Sequence, residues 1–446
     1  MLKYESIGED LRYQITIGDL KSGAKLPSIR NLAQSYSCSK STILTALKNL
    51  EDQHLIYSMP KSGYYVVDNQ APHKPSTPDS IDFATSSPTW HAFPYNDFLH
   101  CVNKAIDTYQ EDLFRYGTPR GLSSLLTESK KLLEKYQVFT NIDNIFITAG
   151  VQRALSLLSV MPFPNNRTTI LVEQPSYHLY MDFLKTYQLQ AVGIKRTTKG
   201  IDLEELERIF RQGIIKFFYT MPRFHNPLGT SYSKKEKESI LQLAHKYDVY
   251  IVEDDYLADF EQNPKIDPLF TKDVNARVIY VKSFSKIMFP GLRIGLAVLP
   301  NALKRSFQQF INTTDIDSSM ISQAALEIYL KSGMFERYRA QVSQIYTARA
   351  KILQRSLETH LPMYEKPTEV TMNSHILLPK QVDMKKLIHY LTQKRILLES
   401  IDGNYLEGFY RERLLKLHIS NVKVDKIEVG IKEISRGLEN VNNYFR

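Results

Sequence analysis

With 446 residues, 43% of them apolar and 24% charged, the chain is long enough for more than one domain and has the composition of an ordinary globular protein. No apolar run approaches the ~20 residues of a membrane-crossing helix, residues 1–10 lack a secretory pattern, and two cysteines exclude a disulfide framework and suit a reducing cytoplasm. The net charge of +9 admits an acidic partner, so the placement of the basic residues matters more than their sum.

Tyr4, Ile7, Leu11 and Ile15 recur at helical spacing, with Gly18 and Gly23 marking the end of that helix. Leu26-Pro27-Ser28 starts a second helix over residues 29–36, with Ser28 as its N-cap. After Ser37-Cys38-Ser39 the pattern predicts a third helix over about 40–52. Its inner face is Ile43, Leu44, Leu47 and Leu50, and Lys40, Ser41, Thr42 and Thr45 project outward near its start. Residues 54–57 and 64–67 read as two strands joined by Pro60-Lys61-Ser62-Gly63. The window 20–50 carries Lys21, Lys25, Arg30, Lys40 and Lys48 but no acid, so one face is positive although the module is nearly neutral. Short polar side chains at a helix start suit phosphate and base-edge contacts in a major groove. A three-helix module with merely solvated charges shows the same pattern.

The string Gly23-Ala24-Lys25-Leu26-Pro27-Ser28-Ile29-Arg30-Asn31-Leu32-Ala33 resembles the start of GntR-type winged helices, and the match extends over residues 4–67. The resemblance implies binding of double-stranded operator DNA through Arg30, Lys40, Ser41, Thr42, Lys61 and Gly63. The DNA-binding domain is therefore set at residues 1–68. Residues 69–80, rich in proline and polar side chains, form a semi-extended linker.

From residue 81 short apolar runs recur at 145–147, 169–172, 191–194, 214–219, 249–252, 278–281 and 294–299, with helical stretches such as 203–211 and 234–246 between them. That alternation predicts a mainly parallel sheet covered on both faces. The run Lys234-Lys235-Glu236-Lys237-Glu238 reads as the solvated face of a helix. Beyond residue 300, helices followed by strands at 374–378 and 415–419 predict a smaller α+β part. The large part is set at about 115–300, and the small part at about 81–114 and 301–446.

Ligands of such a sheet gather at the carboxyl ends of its strands. Thr148-Ala149-Gly150-Val151-Gln152 turns from strand to helix, so the amides of Val151 and Gln152 are available to a phosphate, although a plain strand–helix turn looks the same. In Ser283-Phe284-Ser285-Lys286, followed by Pro290-Gly291-Leu292-Arg293-Ile294-Gly295, a lysine stands in a loop at a strand end. Such a lysine, if desolvated, forms a Schiff base with a carbonyl, and Arg293 can clamp the phosphate of an aldehyde cofactor.

These motifs, with Glu253-Asp254-Asp255-Tyr256 and Asn226-Pro227-Leu228-Gly229 before them, resemble the fold-type-I enzymes of the aspartate-aminotransferase superfamily, which use pyridoxal 5′-phosphate (PLP). The resemblance implies that Lys286 carries PLP as a Schiff base. It implies that Tyr177 stacks on the pyridine ring, that Asn226 and Tyr256 bond its phenolic oxygen and that Asp254 pairs with the ring nitrogen. Ser283, Ser285 and Arg293, with Val151 and Gln152, complete the phosphate cup. Tyr116, in Tyr116-Gly117-Thr118-Pro119-Arg120-Gly121, resembles a residue of the substrate mouth.

A GntR-type winged helix, a linker and an α/β fold-type-I PLP-dependent transferase domain with a smaller α+β part, in that order, resemble the MocR/GabR group of bacterial regulators. That implies a head-to-tail homodimer in the cytoplasm that senses PLP, or PLP joined to an amine or amino acid. One departure stands out. In Leu415-Lys416-Leu417-His418-Ile419-Ser420 a lysine occupies the position where aminotransferases carry a carboxylate-binding arginine. Lys416 is expected at the effector, but as a point charge it lacks the arginine fork. Arg411 and Arg413 are the alternatives. A working aminotransferase with an accessory DNA-binding domain is the other reading of the whole chain. No metal site is expected, since neither Cys38 nor Cys101 has a histidine at ligand spacing.

Overall fold

The computed structural model describes residues 3–17, 19–21, 23–53, 55–59, 62–67, 80–115, 117–263, 266–314 and 318–443, and the chain separates into two units at Ser80. In the first unit α1 (Lys3–Ile17), α2 (Ile29–Ser35) and α3 (Lys40–Asp52) are followed by the hairpin β1 (Ile56–Met59) and β2 (Gly63–Val66). Ser28 caps α2 by accepting from the Asn31 N–H, and Ser39 caps α3 by accepting from the Thr42 N–H, each over 3.2 Å. Ile7, Leu11, Leu32, Ile43, Ala46, Leu47, Leu50, Ile56 and Val66 form the core.

Two expectations are corrected here. Leu44 is 44% exposed, because the stripe that starts at Ile43 continues through Ala46, Leu47 and Leu50 and leaves Leu44 outside it. The first strand starts at Ile56, because Ile56 pairs with Val66 and Met59 with Gly63, which sets the turn between them.

The second unit opens with β3 (Ile81–Asp82). Eight strands follow: β4 (Ile145–Thr148), β5 (Thr169–Gln174), β6 (Ala191–Thr197), β7 (Gly200–Ile201), β8 (Ile215–Thr220), β9 (Tyr250–Asp254), β10 (Val278–Ser283) and β11 (Gly295–Val298). They form one sheet in the order β4-β11-β10-β9-β8-β5-β6-β7. Pairs from β10 through β6 are parallel, and β11 runs antiparallel to both β10 and β4. Successive side chains of a central strand enter opposite layers: Phe217 and Tyr219 join one apolar cluster, Phe218 the other. This is why the strands read as continuous apolar runs.

Helices Leu203–Arg211 and Lys234–Lys246 fall where the sequence puts them, and the second starts on a capping box of Ser233 and Glu236. Lys237 departs from its expected solvated place: it is buried, and its ammonium donates to the Asp267 carbonyl over 2.7 Å. Beyond the sheet, β12 (Asn373–Leu377) and β14 (Leu414–His418) pair antiparallel, and β13 (Ile396–Leu397) pairs in parallel with β3.

Candidate cofactor site and nucleic-acid interface

Since β11 is antiparallel to both neighbours, β4 and β10 point the same way, and so do β9, β8 and β5. Thr148, Gln174, Thr220, Asp254 and Ser283 therefore end their strands along one edge of the sheet. Every strand-end residue singled out in the sequence lies on or just past that edge.

At its β4 end, Gly150 (φ +87°) turns the chain into helix Val151–Val160, whose first turn has no side-chain cap. Gly295 lies against this turn so closely that a Cβ on it would stand 2.8 Å from both Gly150 C and Val151 N. Arg293, in the left-handed region at φ +53°, extends over the same turn and donates from Nη2 to the Ala149 carbonyl over 3.1 Å. A Cβ on Gly150 would lie 3.4 Å from that guanidinium, so both glycines make the close approach possible. Ser283 Oγ accepts the Ser285 N–H over 3.1 Å in the adjoining loop. An exposed guanidinium, uncapped helix amides and two hydroxyls thus converge on a place fit for an anion.

Further along the edge the chemistry changes. Asp254 is buried, its Oδ2 accepts from the Tyr219 hydroxyl over 2.8 Å, and its Oδ1 has no partner among the described residues. Burial pushes its carboxyl up to about 7. Asn226 Oδ1 is likewise buried without a partner. Tyr177, half-buried at the start of helix His178–Thr186, has its hydroxyl pushed up to about 12 by burial and then by the negative charge of Asp254, with Arg293 acting in the opposite sense. Tyr256 donates its hydroxyl hydrogen to the Phe224 carbonyl over 2.6 Å and accepts from Asn373 Nδ2 over 2.5 Å.

Lys286 is half-buried, and its ammonium donates to the carbonyl and hydroxyl of Ser86 over 2.7 and 2.9 Å. Burial, then the charge of Lys416, brings it down to about 8, against the pull of Glu399 and Asp254. A lysine in that range loses its proton near neutral pH and becomes a nucleophile. The orphaned Asp254 oxygen, an anion cradle and a desolvated lysine fit a phosphorylated aldehyde with a protonated ring nitrogen.

Lys416 sits on β14, 2% exposed in its side chain, and its ammonium donates to Glu399 Oε2 over 2.7 Å. Arg411 instead pairs with Asp402 over 3.5 Å, and Arg413 donates to the carbonyls of Lys380 and Val382, so neither takes the place of Lys416.

In the first unit Arg30, Lys40 and Ser41 are exposed and Thr42 is half-buried. The hydroxyls of Ser41 and Thr42 lie 2.7 and 2.8 Å from Ser39 Oγ, so the outer face of α3 begins with a tight hydroxyl cluster. Gly63, at φ +114°, starts the second strand of the wing, and a Cβ there would meet Lys25 Cε at 3.5 Å, which brings a further cation beside the wing. Lys61 and Tyr116 lie outside the described residues.

Residues 91–434 match the family model "Aminotransferase class I and II". The chain belongs to that aminotransferase family. Residues 3–66 match the model for bacterial regulatory proteins of the gntR family, and this fusion is the MocR-type architecture. A Bacillus subtilis protein named as the uncharacterized HTH-type transcriptional regulator YcxD is 50% identical over 97% of this chain and 99% of its own length. The probable rhizopine catabolism regulatory protein MocR of Rhizobium meliloti is 25% identical over 80% of this chain and 78% of its own. Kynurenine aminotransferase of Pyrococcus horikoshii, solved in complex with PMP, superposes with a TM-score of 0.74 at 27% identity, covering 82% of this chain and 92% of that one.

Within this MocR-type chain the sequence reading missed Ser86, Tyr219, Asn373 and Glu399, which come from segments without a motif. His418 carried a signal: it stands two residues from Lys416 on one strand and so shares its face. Burial and the charges of Lys286 and Lys416 hold His418 well below the usual histidine range, so it is neutral.

Proposed function

We propose that this chain is a DNA-binding transcriptional regulator that takes PLP at Lys286 and responds to it, alone or together with an amine, through its aminotransferase-like unit. The observation that carries the reading is that Lys286 shares one edge of the sheet with Asp254, one of whose carboxylate oxygens is buried without a partner among the described residues, and with Arg293 over an uncapped helix start. PLP, when bound, supplies a carbonyl that reacts with amines and a ring that withdraws electrons.

In this reading Arg293, Ser283, Ser285 and the amides of Val151 and Gln152 hold the phosphate. Asp254 Oδ1 would accept a hydrogen bond from the protonated ring nitrogen, whose positive charge would keep that buried carboxylate ionised. Asn226 and Tyr256 would bond the phenolic oxygen, for which the Tyr256 hydroxyl would turn from the Phe224 carbonyl, and Tyr177 would stack on the ring. Lys286 gives up its proton to act as the nucleophile. Arg30, Lys40, Ser41, Thr42, Lys61 and Gly63 contact double-stranded operator DNA. PLP acts as a signal to the extent that it binds one domain arrangement better than another.

The reading includes a cytoplasmic, head-to-tail homodimer. Leu99 and Ile106, exposed by 51% and 44% on helix Tyr95–Tyr109, support self-association. The test is a mobility-shift titration on the protein's own upstream DNA, comparing apo protein, protein with PLP, and protein with PLP plus amines and amino acids. A change of affinity with PLP that vanishes in Lys286→Ala supports the proposal; identical curves in every arm reject it. Multiple turnover with an amino donor and a keto acceptor would instead favour the aminotransferase reading.

A further inference from the structure

The cation that acts on Lys286 from within the fold is Lys416, and it already has a partner. Its side chain is 2% exposed and its ammonium lies 2.7 Å from Glu399 Oε2, its one hydrogen-bond acceptor among the described residues. Glu399 is the outer member of the pair, 36% exposed in its side chain. On β14 the His418 N–H donates to the Phe83 carbonyl over 2.9 Å, three residues before the Ser86 that holds Lys286. Beyond Glu399 the Asn404 side chain donates to the Ser176 carbonyl over 2.6 Å, next to Tyr177 and His178. The pair therefore lies beside the approach to Lys286, and the charges of both its members reach Lys286 and His178.

An amino acid reacting there brings a carboxylate bonded to the carbon that bears its amine. Lys416 is the buried cation beside that approach. A lysine ammonium is a point charge without a fork, and two carboxylates crowded on it repel each other. The ammonium keeps further N–H donors, but its charge is already balanced by Glu399. The ligand's carboxylate therefore either brings an unbalanced negative charge to the buried pair or displaces Glu399 and exchanges one charged hydrogen bond for another of the same kind. Glu399 also competes as a tethered group, at an effective concentration on the order of millimolar. A primary amine without that carboxylate leaves the pair intact and meets no such competitor.

Resting on the reading that PLP is bound at Lys286, we infer that Glu399 occupies the anion position of the effector pocket and makes it selective for primary amines lacking a carboxylate on the amine-bearing carbon. Glu399 is thus a specificity-determining residue, and Lys416 acts through it.

The test uses the full chain loaded with PLP and follows the cofactor's visible absorbance while titrating two ligands of one carbon frame, phenethylamine and L-phenylalanine. In the unsubstituted protein phenethylamine half-saturates at the lower concentration. In Glu399→Gln the phenylalanine-to-phenethylamine ratio of half-saturating concentrations falls at least tenfold, and adding Lys416→Met removes that gain. Glu399→Ser gives the same shift and serves if the glutamine variant does not fold. A smaller change of ratio, or a preference of the unsubstituted protein for phenylalanine, overturns the inference. An absorbance band that persists unchanged in Lys286→Ala rejects the PLP reading itself, and is distinct from an intact, lysine-dependent band with an unmoved ratio.

Discussion

Gly295→Ala tests the anion cradle where it is tightest. The added methyl would stand 2.8 Å from Gly150 C and Val151 N and 3.1 Å from Gly150 Cα, against 3.4 Å where ordinary contact begins, a shortfall of 3.4 − 2.8, or about 0.6 Å. These neighbours are backbone, so no side chain can rotate away. Either β11 shifts, against its pairing with Thr148 and Ser283, or the start of helix Val151–Val160 moves outward. Overpacking of this kind costs about 1–3 kcal/mol. The helix start belongs to the proposed phosphate cup, so a fraction of that strain, about 1.4 kcal/mol, lowers PLP affinity about tenfold. Urea unfolding followed by circular dichroism reads the stability, and an absorbance titration reads the PLP affinity. Gly403→Ala is the control, since its methyl would meet His178 Cβ at an ordinary 3.6 Å. If Gly295→Ala matches the control in both measurements, the close approach of β11 to the helix start is not what shapes the cradle.

Asp254 has its folded-state pKa raised to about 7 by burial, so between about pH 4 and 7 the folded protein binds more protons than the unfolded chain and stability falls as pH rises. In apo protein, the stability of the unsubstituted chain relative to Asp254→Asn should drop over that window by at most about 4 kcal/mol. A difference that stays flat in urea titrations at pH 4.5, 6 and 7.5 contradicts the assignment. Lys216 is buried and donates to the carbonyls of Leu158, Ser159 and Met161 at the end of helix Val151–Val160, over 3.3, 2.6 and 3.0 Å. Lys216→Met should destabilise the second unit by roughly 1.5–3 kcal/mol, the worth of a charged hydrogen bond, with an unchanged unfolding midpoint as the refuting result. Arg30→Ala should weaken operator binding and reduce the magnitude of the salt-dependence slope by about 1, leaving the cofactor's absorbance unaltered. Bleaching of that band would put Arg30 in the wrong unit.

The fold was legible wherever one periodicity decided the outcome. Helices Leu203–Arg211 and Lys234–Lys246 carry caps and an amphipathic stripe, and they begin and end where those signals stand. The central sheet strands are apolar on both faces because both faces are covered, so composition located them to within a residue or two, but it ended β6 three residues early, where polar residues follow, and it missed the two-residue β7. Legibility failed where a single residue departs from the pattern of its neighbours. Leu44 is apolar but lies beyond the angular width of its helix's buried stripe. Lys237 belongs to a charged run, yet it is buried because the Asp267 carbonyl accepts its ammonium from 30 residues away. Neither departure is written in local spacing.

The candidate site divides in the same way. Residues at strand ends could be named because a parallel sheet sends its strand ends to one edge, whatever the loops do. Lys286, Asp254 and Arg293 needed that rule together with local chemistry. Glu399 obeys no such rule: it follows the short strand β13, and its meeting with Lys416 is fixed by the packing of the smaller part rather than by any motif. The consequence is chemical. The sequence shows a lysine at position 416 and invites the conclusion that an anion binds there. The fold adds a carboxylate 2.7 Å away, and the same lysine becomes half of a closed pair. A charge read from sequence is therefore a donor whose acceptor is still to be found, and at position 416 that acceptor is Glu399.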